Sequence, residues 1–151
     1  MSDSWIYIIP DDPTYQPAAD CHEPAIAYFR GIAPQADDVG VEIYDGISCF
    51  DCGANLESIA CPACGAEIEM EAWGEWMEAD YDDEQFRLTP RALPCCGAEC
   101  TLHELRYDLP QGFGRFGVFA MNPNLTDVTD MQCAEFARIL GGPVRVITRQ
   151  L

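Results

Sequence analysis

The chain contains no lysine. Its eight basic residues are all arginine and face 26 acidic ones, for a formal net charge of −18. Between Arg30 and Arg87 no basic residue stands at all. A phosphate-binding loop of the G-x-x-x-x-G-K-[ST] type needs a lysine, so that chemistry is excluded. A field this negative repels phosphate backbones and argues against a nucleic-acid partner. It attracts basic proteins and speeds their encounter, although the blander use of the same charge is solubility.

Histidine is scarce. His22 and His103 are the only two, and neither lies in an H-E-x-x-H or H-x-E arrangement, so no catalytic zinc signature is present. No apolar run approaches the ~20 residues that span a bilayer, and no membrane partner is expected. The start, Met1 to Tyr7, is acidic and is followed by Pro10, which does not read as a signal peptide. Together these predict a cytoplasmic, reduced protein, in which clustered cysteines mean metal more often than disulfide. The composition, 48% hydrophobic and 11% aromatic, can fill a real core, and 151 residues suit a single domain over 1–151.

What the chain has is cysteine, nine in all, an odd number that cannot pair off completely. Three clusters stand out: Cys49-Phe50-Asp51-Cys52-Gly53, Cys61-Pro62-Ala63-Cys64-Gly65 and Pro94-Cys95-Cys96-Gly97. In a C-x-x-C-G turn two thiolates wrap one ion and the glycine takes the tight backbone position behind the second ligand. Such turns point to Zn²⁺. Cys21 and Cys133 sit in helical patterns and suit packing.

Hydropathy periodicity orders the rest. A strand is predicted over Trp5–Ile9, a helix over about Ala18–Gly31, and a strand over 39–50 with a bulge or turn at Asp45-Gly46. An acidic helix is predicted over Ile68–Tyr81, with Met70, Trp73, Met77 and Tyr81 on its core stripe and Trp76 off it. Strands follow at Leu102–Tyr107 and Gly114–Met121, separated by a Gly-rich loop from Leu109. A helix capped by Thr126 or Asp127 runs to Leu140, and a last strand holds Val144, Val146 and Thr148. No internal repeat beyond the Cys turns is read. The fold class expected is α+β: a ferredoxin-like βαβ-βαβ sheet with a zinc-ribbon-like section inserted at about 47–105.

Two ligand sets compete. In one, Cys49, Cys52, Cys61 and Cys64 form a compact zinc ribbon, and Cys95, Cys96, Cys100 and His103 offer a second site. In the other, Cys61 and Cys64 join Cys95 and Cys96 across the acidic helix. Adjacent ligands such as Cys95 and Cys96 are the physical objection to it, because neighbouring side chains diverge. Four thiolates would close the coordination sphere and make the site structural. Iron, as in rubredoxin-like electron carriers, is the alternative occupant, since an S₄ site does not by itself separate the two metals.

The stretches Ile9 to Pro13, Asp51 to Asn55, Cys61 to Gly65, Pro94 to Gly97, Leu109 to Phe113 and Leu140 to Arg145 resemble a family of small, uncharacterised bacterial proteins with C-P-x-C-G and P-C-C-G elements. Some members carry a label as sugar-transporter ATPases, which this lysine-free chain does not support. The resemblance implies Cys61, Cys64, Cys95 and Cys96 as the ligand set. Cys49, Cys52, Cys100 and His103 depart from the family pattern and leave a second metal open.

The function expected is that of a non-catalytic zinc-binding protein with a structural Cys₄ site. It would bind a basic protein partner through the acidic stretch Glu67–Glu84, in an immunity-like or inhibitor-like role. The alternatives are a rubredoxin-like iron electron carrier, or an enzyme using the Leu109–Phe113 loop with His103 or Arg115.

Overall fold

Two strand–helix–strand passages, one at each end of the chain, build a single sheet. The computed structural model describes residues 3–53 and 56–150; Ala54 and Asn55, which close one of the quoted motifs, lie outside them. The first passage is β1 (Ser4–Pro10), a 3₁₀ turn at Ala19–Cys21, α1 (His22–Ile32) and β2 (Asp38–Phe50). A middle section then carries β3 (Ile59–Ala60), β4 (Glu67–Ile68), α2 (Met70–Asp80), β5 (Tyr81–Asp82), β6 (Gln85–Phe86), β7 (Arg91–Ala92), β8 (Glu99–Cys100) and β9 (Arg106–Tyr107). The second passage is β10 (Gly112–Met121), α3 (Asp130–Leu140) and β11 (Val144–Gln150). The fold is therefore mixed α+β, with strand order β11-β1-β10-β2 in the large sheet and antiparallel pairing throughout it.

Alternation along the strands places two cores. On one face, Ile6 and Ile8 of β1 and Phe116, Val118 and Ala120 of β10 meet Ala25 and Phe29 of α1 and Phe136 and Leu140 of α3. Phe29, Phe116 and Phe136 are fully buried, each contributing roughly 1.5–3 kcal/mol. Tyr7, Ile9, Phe50 and Ile147 pack on the opposite face. The middle section has its own apolar cluster, in which Ile59, Cys61, Ile68, Leu93, Cys100, Leu102, Leu105 and Tyr107 pack with Phe113 of β10.

Four local readings of the sequence are corrected. The segment after Leu102 is a turn, with only Arg106–Tyr107 in a strand, because its ladder partner is the two-residue β3. The Gly-rich loop is shorter than expected, since β10 already begins at Gly112 and pairs with Phe50. The cap of α3 is Thr129, whose hydroxyl accepts from the Gln132 N–H while the Gln132 side chain accepts from the Thr129 N–H, a capping box. On α2 the buried stripe is rotated: Trp73, Trp76 and Met77 face the core of the middle section and Asp80 is buried, whereas Met70 is exposed; Tyr81, past the helix end in β5, is exposed too. The Asp80 carboxylate lies on that inner face, paired with Arg91. The expected irregularity at Asp45-Gly46 is present: between Ser48 and Ile43 β2 advances five residues while β10 advances two, from Gly114 to Phe116. No helix among the described residues is long and apolar enough to cross a membrane.

Candidate metal centre

Two short hairpins hold the site. In the first, Ile59 pairs with Ile68 and Ala60 with Glu67; in the second, Arg91 pairs with Cys100 and Ala92 with Glu99. The Cys61 N–H donates to the Ala66 carbonyl at 2.9 Å and the Gly65 N–H to the Cys61 carbonyl at 2.9 Å. The second turn repeats both bonds, Leu93 N–H to Ala98 at 3.0 Å and Gly97 N–H to Leu93 at 2.8 Å. Gly65 and Gly97 have φ of 78° and 77°, the left-handed conformation that glycine enters without a Cβ penalty. The turns are thus two copies of one device, offset by 32 positions: C-P-A-C-G-A-E-I at 61–68 and L-P-C-C-G-A-E-C at 93–100. The shared P-x-C-G-A-E string was the sequence signal for this repeat, and reading the chain by its cysteines alone passes over it.

The hairpins face one another and bring Cys61, Cys64, Cys95 and Cys96 together, all four sulfurs lying within 4.8 Å of each other. Cys61 Sγ is 3.7 Å from Cys96 Sγ, Cys64 Sγ is 3.4 Å from Cys95 Sγ, and Cys95 and Cys96 are 4.0 Å apart. Four thiolates around an ion at the ~2.3 Å Zn–S distance stand about 3.8 Å apart, close to these three spacings. A Cys₄ cluster able to bind a metal ion is therefore part of the fold, and S₄ chemistry suits either zinc or iron.

Electrostatics prepare the cluster unevenly. The N–H groups of Cys64 and Ala63 point at Cys61 Sγ at 3.4 and 3.3 Å. They pull its thiol down to about 6, the Cys64 N–H acting most strongly. Cys95 is pushed up to about 12, chiefly because its proton is shared with Cys64 beside it. A divalent cation held by the four sulfurs would favour their thiolate forms and so oppose that second effect.

The other candidate ligands lie elsewhere. Cys49 is sunk in the apolar cluster of the middle section, and burial pushes its thiol up to about 12. Cys52 is fully buried and bonded to Gln111 Oε1, through its N–H at 3.3 Å and its thiol at 3.4 Å. Cys100 packs in the core behind the second turn. His103 has no free nitrogen: Nδ1 accepts from the Phe113 N–H at 2.9 Å, so Nε2 carries the proton and donates to the Asp11 carbonyl at 2.6 Å. Among the described residues, no other group of three or more Cys, His, Asp or Glu side chains converges in this way.

His103 belongs to a junction between the sheet and the middle section. Arg145 of β11 donates from Nη1 to the carbonyls of His103 and Gln111 at 3.0 and 2.9 Å and pairs with Asp11 at 3.1 Å. A Cβ at Gly112 would stand 2.9 Å from Arg145 Nη1 and 3.0 Å from His103 Cε1, so the backbone must be bare there. The cleft beside it, lined by Leu105, Tyr107, Pro110, Gln111 and Arg145, holds about 180 Å³, below the roughly 300–1,000 Å³ of ordinary small-molecule pockets. Comparison with family models, curated proteins and solved structures finds no significant match.

Proposed function

We propose that the protein is a non-catalytic zinc-binding protein whose Cys61, Cys64, Cys95 and Cys96 hold one structural Zn²⁺. The fold reading that goes with it is a ferredoxin-like sheet carrying a zinc-ribbon-like insert. Strand order β11-β1-β10-β2, with the two helices sharing one core, supports the first half. The paired turns support the second half. The observation that carries the proposal is the S···S spacing of 3.4 and 3.7 Å between the two hairpins, Cys64 to Cys95 and Cys61 to Cys96. Four protein thiolates leave no open coordination position, so the ion clamps the hairpins and performs no chemistry.

The work is then done by surface. Nine acids lie between Glu67 and Glu84, and a tetrathiolate zinc adds two negative charges beside them. Glu71, Glu75 and Glu78 are exposed on α2. The proposed partner is a basic protein, bound in an immunity-like or inhibitor-like role within a reducing compartment, where the nine cysteines stay out of disulfides.

Native mass spectrometry with elemental analysis, on protein purified without added metal, tests the metal reading. One zinc per chain, lost in Cys95→Ser, is the expected result. Iron would replace this reading with electron transfer, and no metal would remove it. Charge reversal at Glu71, Glu75 and Glu78 should weaken capture of a basic protein in a salt-dependent way.

A further inference from the structure

Beside the cysteine cluster runs a groove of about 410 Å³, lined by Glu67, Ile68, Glu69, Ala72, Pro94 and Cys95. It lies between the start of α2 and the second cysteine turn. Its bed is apolar, from Ile68, Ala72 and Pro94. Its charge is all of one sign, from the exposed Glu67 and Glu69. Neither glutamate forms an ion pair among the described residues, whose five salt bridges all lie elsewhere.

Cys95 adds an independent observation. Cys61 receives two backbone N–H groups on its sulfur, and Cys96 receives that of Ala98. Among the described residues, Cys95 Sγ meets only other sulfurs. It is exposed, and it opens into the groove. A thiolate in that position has lone pairs to offer a donor from outside.

We propose that this groove receives an arginine side chain from a basic partner segment. The stem would lie on Ile68, Ala72 and Pro94, with the guanidinium spanning the carboxylates of Glu67 and Glu69 and the sulfur of Cys95. Arginine fits better than lysine because its flat fork serves several acceptors at once and stacks on apolar surface, whereas an ammonium is a compact, strongly hydrated point charge. This rests on the basic-partner reading above and narrows it from a charged face to one contact.

The probes are two short synthetic peptides, one arginine-rich and one lysine-rich with otherwise identical sequence, titrated into the metal-loaded protein at low salt. Amide shifts are followed by NMR. Three chains are compared: wild type, Ala72→Leu, which fills the groove without altering charge, and the Glu75→Arg/Glu78→Arg pair, which weakens the field outside it. The expected result is tighter binding of the arginine peptide by several-fold, shifts centred on residues 67–72 and 94–96, and an affinity loss of about tenfold in Ala72→Leu. If Ala72→Leu binds like wild type while the Glu75/Glu78 variant loses binding, the groove is wrong and the acidic face stands. If neither peptide binds wild type, the basic-partner reading falls with it.

Discussion

Leu93 stands in the second cysteine turn where Cys61 stands in the first. Both are buried, and each accepts its turn glycine's N–H and donates its own to the alanine five residues on. The second turn therefore has an apolar side chain at the first ligand position of a C-x-x-C-G device, and Cys95, at the place of Ala63, supplies a sulfur instead. This is how adjacent cysteines serve one site despite their diverging side chains: their sulfurs stand 4.0 Å apart because they are positions three and four of a tight turn. It follows that the ligand can be moved back. Cys95→Ala should lower zinc affinity by more than the 10–100-fold typical of a supporting residue, and Leu93→Cys/Cys95→Ala should recover most of it. Competition with a chromophoric chelator measures both; a double variant as weak as the single would contradict the repeat.

Asp80 and Arg91 form the buried ion pair of the middle section, Oδ1 to Nη2 at 2.6 Å, with the Arg91 guanidinium over the Trp76 ring at 5.6 Å. Asp80 is 2% exposed, while the Arg91 side chain keeps 23% of its exposure. The two truncations should differ for that reason. Arg91→Met strands a buried carboxylate and should cost roughly 3–5 kcal/mol. Asp80→Leu leaves an arginine that can turn toward water and should cost less, and the double variant less than the sum of the two. Urea unfolding of the four chains gives the cycle; equal single costs would mean that solvent already reaches Asp80.

Much of the sheet was legible from periodicity. Ile6 and Ile8, Phe29, Phe136 and Leu140 fall at strand and helix spacings, and α2 and α3 were found within a few residues of their ends. The α2 face was not legible, because Asp80 is buried on it against Arg91 and the helix ends before Tyr81, and single-sequence periodicity carries no sign of a partner eleven residues away. The four converging cysteines were in view as one of two sets. Nothing in spacing alone removes His103 from consideration; only its two hydrogen bonds do. Arg145 was quoted in a motif without a role, since the carbonyls it binds lie 34 and 42 positions away.

His103 is held neutral. Burial chiefly, and then the Arg145 guanidinium, lower its pKa below the ordinary 6.5, and a second proton on Nδ1 would face the Phe113 N–H. The folded pKa lies below the unfolded one, so the histidine's contribution to stability is complete above about pH 6.5 and is lost as pH falls from there through the lowered folded value. Because the thiolates also take up protons in this range, the quantity to measure is the difference between wild type and His103→Gln in urea midpoint, with zinc saturating, from pH 7.5 down to 5. The two midpoints should converge on acidification. Parallel curves would show that the ring does not change its protonation on unfolding. At neutral pH the substitution itself should cost about 1–3 kcal/mol, from the unpaired Phe113 N–H and Asp11 carbonyl.

Metal removal should take the molecule apart in order. The sheet and its two helices have their own core of Ile6, Ile8, Phe29, Phe116, Val118, Phe136 and Leu140. The two cysteine hairpins have two-residue strands and lie in separate sheets with no ladder between them, so they are joined by the sulfurs and by the apolar cluster of Ile59, Ile68, Leu93 and Cys100. Free energies of about 10–16 kcal/mol are associated with structural zinc, far more than hairpins this short supply by themselves. On chelation under reducing conditions, amide protection at residues 59–68 and 91–100 should vanish while that of β1, β10 and β11 persists, read by hydrogen exchange with NMR. Trp73 and Trp76, which pack on the same cluster, should report the change in fluorescence. Hairpin protection that survives chelation would mean that apolar packing, rather than metal, joins the two turns; simultaneous loss everywhere would mean that sheet and insert unfold as one unit.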